Sequence, residues 1–211
     1  MPPLILTFLK APRPGAVKTR LGKQIGLTEA ALIYRQLAEA QLSRIPADFR
    51  TEIHYAPRGS AGEMRTWLGA QRIYRVQSGG DLGARLNKAF TEGFRRGYRR
   101  IIAIGSDCPQ LDEACLRRAV DNLNDTDVVL GPATDGGYYL IGLRRPAPRL
   151  FEGIEWSTSS VLAATRVRIH EGGLSSALLD EKDDIDDLAS LQRHQGATQG
   201  LMSFTLGKSL Q

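Results

Sequence analysis

Six short strand-like runs, separated by stretches with helical spacing or by turn residues, constrain the fold of this chain more than any other feature. They fall at residues 4–9, 51–56, 72–76, 101–105, 127–130 and 138–143. Helices are predicted between and after them at about 28–43, 62–68, 82–96, 113–123 and 159–167, with another starting near Asp187. Thr28 is the expected cap of the first, with Leu32, Leu37 and Leu42 among its apolar positions. Strands alternating with helices predict an α/β fold with a mostly parallel sheet and helices on both faces. The run Ile-Ile-Ala-Ile-Gly at 101–105 is the clearest buried strand, and Pro109 stops it. No repeat or low-complexity linker interrupts the pattern. A chain of 211 residues then reads as one domain over 1–211, with the tail after about 195 the least defined.

In such sheets ligands bind beyond the carboxyl ends of the strands. The notable loops all follow strand ends. The first, Lys10-Ala-Pro-Arg-Pro-Gly-Ala-Val-Lys-Thr-Arg20, carries Lys10, Arg13, Lys18 and Arg20 around Gly15. Four cations there suit a di- or triphosphate: Arg grips two phosphate oxygens, Lys acts as a point charge, and Gly15 lets backbone N–H groups approach. A solvated basic loop is the plainer reading, and the GxxxxGK[ST] pattern of P-loop enzymes is absent. The second loop holds Asp107 just past the buried strand, where a hard cation such as Mg²⁺ takes one or two carboxylates plus phosphate oxygens and water. An Asp that merely forms a turn is the alternative. A second carboxylate is expected from the acidic run 181–187, from Asp184 or Asp186. The third loop is Asp135-Gly136-Gly137, in which Asp135 orients a hydroxyl or accepts its proton, or simply makes a tight turn. Gly80-Asp81-Leu82-Gly83-Ala84-Arg85 approaches a nucleotide or marks a glycine entry into a helix. Trp156 reads as core.

The remaining composition narrows the partners. A net charge of +5 suits an anionic ligand, but no aromatic residues interleave with a basic stripe, so nucleic acid is not expected. Cys108 and Cys115 form neither a CxxC pair nor a disulfide framework, and both are expected reduced. The histidines His54, His170 and His194 lack metal-ligand spacing. The first ten residues read as a strand and not as a signal peptide, and no apolar run approaches the roughly 20 residues of a membrane span. A cytoplasmic location is therefore expected. Nothing in the sequence fixes an oligomeric state.

Five segments together resemble a bacterial family. They are Phe8 to Leu21, Gly80-Asp-Leu-Gly-Ala-Arg85, Gly105-Ser-Asp-Cys-Pro109, the stretch from Leu130 through Asp-Gly-Gly-Tyr-Tyr to Leu143, and Trp156-Ser-Thr158. The chain resembles the DUF2064 group of glycosyltransferase-like proteins, also called radical-SAM/selenodomain-associated transferase 1, some of which are associated with arsenosugar biosynthesis. The resemblance implies the GT-A, nucleotide-diphospho-sugar transferase fold. It puts Asp107 at the metal position and Lys18 with its basic neighbours at the phosphate loop. Asp184-Ile-Asp186 is similar to a late Asp-x-Asp-Thr motif, with Asp187 in place of the Thr. A further departure is Ser106-Asp107-Cys108, where many glycosyltransferases of this fold carry a DxD pair. A lone Asp followed by Pro looks more like the nucleotidyltransferases of the fold.

The resulting expectation is a transferase that uses Mg²⁺ or Mn²⁺ and a nucleotide-diphospho-sugar, acting on a small acceptor. The alternative is transfer of a nucleotide from a nucleoside triphosphate to a phosphorylated metabolite. A nucleotide-binding protein without turnover is the third reading.

Overall fold

The computed structural model describes residues 1–194, so the tail after about 195 lies outside the described residues. The strands are β1 (Leu4–Lys10), β2 (Arg50–Ala56), β3 (Ile73–Val76), β4 (Ile101–Ile104), β5 (Val128–Pro132), β6 (Tyr138–Leu143) and β7 (Ser176–Leu178). The helices are α1 (Thr19–Ile25), α2 (Leu27–Ser43), α3 (Ala61–Leu68), α4 (Leu82–Arg95), α5 (Glu113–Asp125), α6 (Val161–Glu171) and α7 (Leu188–Arg193), with 3-10 turns at Arg58–Ser60 and Pro148–Phe151. The sheet runs β3-β2-β1-β4-β6-β5-β7, and β4 is its middle strand. Only β6 runs against its neighbours.

The sheet is buried on both sides because its apolar residues serve both faces. Ile5, Ile102, Ile104, Val129 and Leu140 pack with Leu116, Ala119, Val120 and Leu123 of α5. Leu4, Leu6, Ile101, Ala103, Val128 and Ile141 pack on the other face with Leu86, Ala89 and Phe90 of α4 and Ile169 of α6. Continuous apolar runs, with no alternation, are what a doubly covered strand requires. A third cluster beneath α2 and α3 joins Leu9, Ile53 and Tyr55 to Ala38, Leu42 and Met64.

Three local expectations need correction. Thr28 is not a cap. Helix α2 begins one residue earlier, and its cap position is Gly26, at φ 103° with no side-chain cap bond. Gly26 also ends α1, a helix the basic composition of 10–20 concealed, so Thr19 and Arg20 are helical and not loop. The sixth helix begins at Val161 and ends only before Gly172-Gly173. The edge strand β7 was not visible in the sequence, because it is three residues long and its ends are exposed. No helix among the described residues is long and apolar enough to cross a membrane.

The strand order fixes where a ligand goes. From β1 the chain winds outward through β2 and β3, then returns to place β4 on the other side of β1. The loops leaving β1 and β4 therefore diverge, and a crevice opens at the carboxyl ends of these two strands.

Candidate active site

Lys18, Asp107 and Asp186 meet in that crevice. The Lys18 Nζ lies 2.9 Å from Asp107 Oδ2 and 3.0 Å from Asp186 Oδ1. The Lys18 side chain is only 4% exposed, whereas the two carboxylates are 37% and 40% exposed and face outward. Burial disfavours the ammonium, but Asp107 and Asp186 outweigh it, so Lys18 holds its proton above the ordinary lysine range. Its backbone is left-handed (φ 45°, ψ 46°), a conformation that costs a non-glycine residue energy. The chain accepts that strain at the residue that carries the buried charge.

The backbone explains how residue 186 reaches residue 107. After β7 the chain continues beside the end of β5: Leu179 N donates to Leu130 O, Lys182 N to Pro132 O, and Ile185 N to Asp107 O. Ile185 is fully buried with Leu21, Ile33, Leu37 and Leu191. Asp184 and Asp186 flank this anchor. Asp186 turns to Lys18, while Asp184 Oδ1 is buried with no hydrogen-bond partner among the described residues. Burial, then the charge of Asp107, push the Asp184 carboxyl up to about 7, with Lys18 opposing them. Asp187 takes no part in that cluster. It caps α7, accepting from Ser190 N, and pairs loosely with Arg20 at 3.5 Å.

A cavity of about 650 Å³ opens over this cluster. Lys10, Lys18, Arg20, Asp81 and Arg85 of the sequence-derived candidates line it, with Asp107 and Asp186. Arg85 is held in place by Gly80 O and by Gln77 Oε1. Asp81 caps α4 by accepting from Ala84 N. The other candidates are not among the residues that line this cavity. Arg13 pairs with Glu63 at 2.9 Å on the exposed surface. Gly15 adopts φ 78° and lets the loop turn. Gly83 lies where a Cβ would come within 2.8 Å of Trp156, so it serves packing of that ring. Asp135 Oδ1 accepts from Gly137 N in the β5–β6 hairpin turn, and a Cβ on Gly136 would collide with the Ser159 backbone.

Residues that sequence reasoning missed also line the cavity. Tyr34, in the middle of α2, accepts from Lys10 N through its hydroxyl, and burial pushes that hydroxyl up to about 12. Gln77 donates to Leu9 O and His54 O, tying the ends of β1 and β2 to α4. Neither stands in a motif; Gln77 was signalled only by the glycines that follow it. Trp156 packs edge-on against Tyr138 and also reaches the cavity, so it is wall as well as core. Cys108, beside Asp107, is buried and its thiol is pushed up to about 12, which removes it as a nucleophile.

Among the described residues no three His, Cys, Asp or Glu side chains form a ready metal cage. Two outward-facing carboxylates that already share one cation, beside an orphaned buried carboxylate oxygen, form a hard oxygen donor set. That set fits Mg²⁺ or Mn²⁺, which complete their shell with ligand phosphates and water.

The chain and its fold are similar to known proteins. A family model described as "Uncharacterized protein conserved in bacteria (DUF2064)" matches residues 41–158. The chain is 31% identical to a crystal structure from Desulfovibrio desulfuricans G20 described as a "putative nucleotide-diphospho-sugar transferase", with a TM-score of 0.85, covering 95% of this chain and 98% of that one. More distant structures share the fold. Rv0371c from Mycobacterium tuberculosis H37Rv, solved with manganese, has 17% identity and a TM-score of 0.56 over 92% of this chain and 97% of its own. An inositol-1-phosphate CTP transferase from T. maritima has 12% identity and a TM-score of 0.54 over 97% and 98%. No curated protein matches the chain.

Proposed function

The chain belongs to the DUF2064 family, and on that premise we propose that it is a metal-dependent transferase that moves a sugar from a nucleotide-diphospho-sugar to a small acceptor. That it is a transferase-like enzyme of the nucleotide-diphospho-sugar transferase fold follows from the 31% identical relative over nearly the whole chain. The observation that carries the finer reading is the convergence of Lys18, Asp107 and Asp186 under a cavity whose volume suits a nucleotide-sized ligand.

In this reading the diphosphate lies over Lys18, with Lys10, Arg20 and Arg85 around it. Lys18 presents a buried charge that needs no reorganisation when negative charge builds up on the departing diphosphate. Mg²⁺ or Mn²⁺ held by Asp107 and Asp186, with Asp184 beside them, neutralises phosphate charge when bound. Tyr34 and Gln77 hold the cavity wall rigid, which keeps the donor aligned. Asp135 orients the acceptor hydroxyl: its Oδ1 is taken by the turn, and its Oδ2 makes no hydrogen bond among the described residues.

One observation favours a second reading. Asp107 is followed by buried Cys108 and not by a second carboxylate, and four cations line the cavity, a number that suits a triphosphate. Transfer of a nucleotide to a phosphorylated metabolite uses the same residues and releases pyrophosphate. Product analysis decides between them. With Mn²⁺ and a panel of nucleotide sugars, the proposal expects a nucleoside diphosphate to accumulate, by transfer or slow hydrolysis. Pyrophosphate released from a nucleoside triphosphate only when a sugar phosphate is present establishes the second reading instead.

A further inference from the structure

The reversal of β6 builds a second basic cavity at the other end of the strands, where β4 begins and β6 ends. Antiparallel pairing sets Ile101, the first residue of β4, against Leu143, the last of β6. Arg99-Arg100 immediately precede the first, and Arg144-Arg145 immediately follow the second, so the register alone brings two arginine pairs together. They line a cavity of about 640 Å³ with Phe94 and Tyr98 on its wall.

Among the described residues no acidic side chain lines this cavity. Asp127, at the foot of β5, serves Arg144 and Arg145 together: Arg145 donates to both its oxygens at 2.8 and 2.9 Å, and Arg144 to Oδ1 at 3.0 Å. One carboxylate thus fixes two guanidinium groups and neutralises one charge. Arg100 donates to the neutral Asn124 Oδ1, and the exposed Arg99 has no ion-pair partner among the described residues. Four guanidinium groups against one carboxylate leave an uncompensated positive charge that repels itself unless an anion enters. Guanidinium groups held by a buried carboxylate are pre-oriented, and their remaining N–H groups match phosphate oxygens.

We propose that this cavity is a second anion site, separate from the crevice at Lys18, for a small molecule bearing two or more linked phosphates. A single phosphate offsets part of this charge, whereas linked phosphates carry enough to match both arginine pairs. The ligand is either a free condensed phosphate or the phosphate chain of a nucleotide, whose nucleoside then rests on Phe94 and Tyr98.

Isothermal titration of the full chain with tripolyphosphate, in chelator and low salt, tests this. Wild type binds, and the R99A/R100A variant loses at least about tenfold in affinity, equivalent to roughly 1.4 kcal/mol. The R99K/R100K variant, which keeps charge, retains binding, and the ligand-free melting temperature is unchanged in both. Arg99→Glu, which breaks no side-chain hydrogen bond or ion pair among the described residues, shows the same loss if the double variant folds poorly. A nucleoside triphosphate that binds more tightly than tripolyphosphate, by a margin that R99A/R100A abolishes and that the Lys18 crevice therefore does not supply, identifies the nucleotide as the source; equal loss for both ligands identifies the phosphates alone. Absence of tripolyphosphate binding by wild type, or wild-type affinity in R99A/R100A and Arg99→Glu, overturns the proposal.

Discussion

Lys18 combines a left-handed backbone, near-complete burial and contact with two carboxylates, and each has a consequence that can be measured. Replacing it with methionine keeps the length of the side chain and removes the charge. Asp107 and Asp186 then face each other unshielded. Because both are more than a third exposed, the cost is on the order of 1–2 kcal/mol, below the 3–5 typical of a fully buried pair. A divalent cation takes up the vacated charge if the pair is a metal site. Thermal melts are therefore expected to show a larger rise with Mn²⁺ in Lys18→Met than in wild type. An equal or smaller rise removes the carboxylate pair from metal binding. Arg13 provides the contrast. Its partner is the exposed Glu63, so Arg13→Ala is expected to change stability by less than about 0.5 kcal/mol and leave nucleotide affinity near wild type. A large loss of affinity would show that the loop swings Arg13 onto the ligand.

Among the elements, β2 carries a buried acid that its sequence did not advertise. Glu52 is 3% exposed and contacts Arg75 at 2.7 Å, Arg96 at 2.9 Å and His54 at 3.6 Å. Burial raises its carboxyl, but the His54 ring beside it, the hydrogen bond from Arg75 and the charge of Arg96 outweigh that and hold it at about 2. A carboxyl lowered on folding stabilises the protein above its unfolded value near 4.5, and that stability is lost as pH falls toward about 2. The contribution is about 3 kcal/mol. Denaturant melts between pH 6 and 2 should show wild type and Glu52→Gln converging as the pH falls. Parallel curves would mean Glu52 is not ionised by its arginines. The β5–β6 hairpin makes a separate test. Gly136 has φ 87° and lies against the Ser159 backbone, so Gly136→Ala is expected to cost more than about 1 kcal/mol. A neutral substitution there would show that the turn and the 155–160 loop are not packed as described.

At the scale of the whole molecule, the sequence carried its strands well and its reversal poorly. Runs such as 101–105 and 138–143 are legible because burial on both faces demands unbroken apolar residues. The direction of β6 is not, since a strand reads alike in either sense. The short edge strand β7 has no apolar run to reveal it, and Gly26 hid the break between α1 and α2. The same division holds in the crevice. Lys18 and Asp107 announced themselves as a basic loop and a carboxylate after a buried strand. The nearness of Asp186 depends on backbone bonds that carry the chain along β5 to Asp107, which no local pattern encodes. Tyr34 and Gln77 reach the cavity only through helix packing and strand ends.

The central claim is that the crevice between β1 and β4 binds a nucleotide together with a divalent cation through Asp107. Its most direct measurement is isothermal titration of wild type and Asp107→Asn with a nucleotide, each with and without Mn²⁺. Asn keeps the shape of the side chain and its turn preference but lacks the charge a hard cation needs. The account predicts that Mn²⁺ strengthens nucleotide binding in wild type and has no effect on a normally folded Asp107→Asn, whose turnover falls by at least about 10²–10³. Metal-dependent binding of wild-type strength by a well-folded Asp107→Asn protein would contradict it.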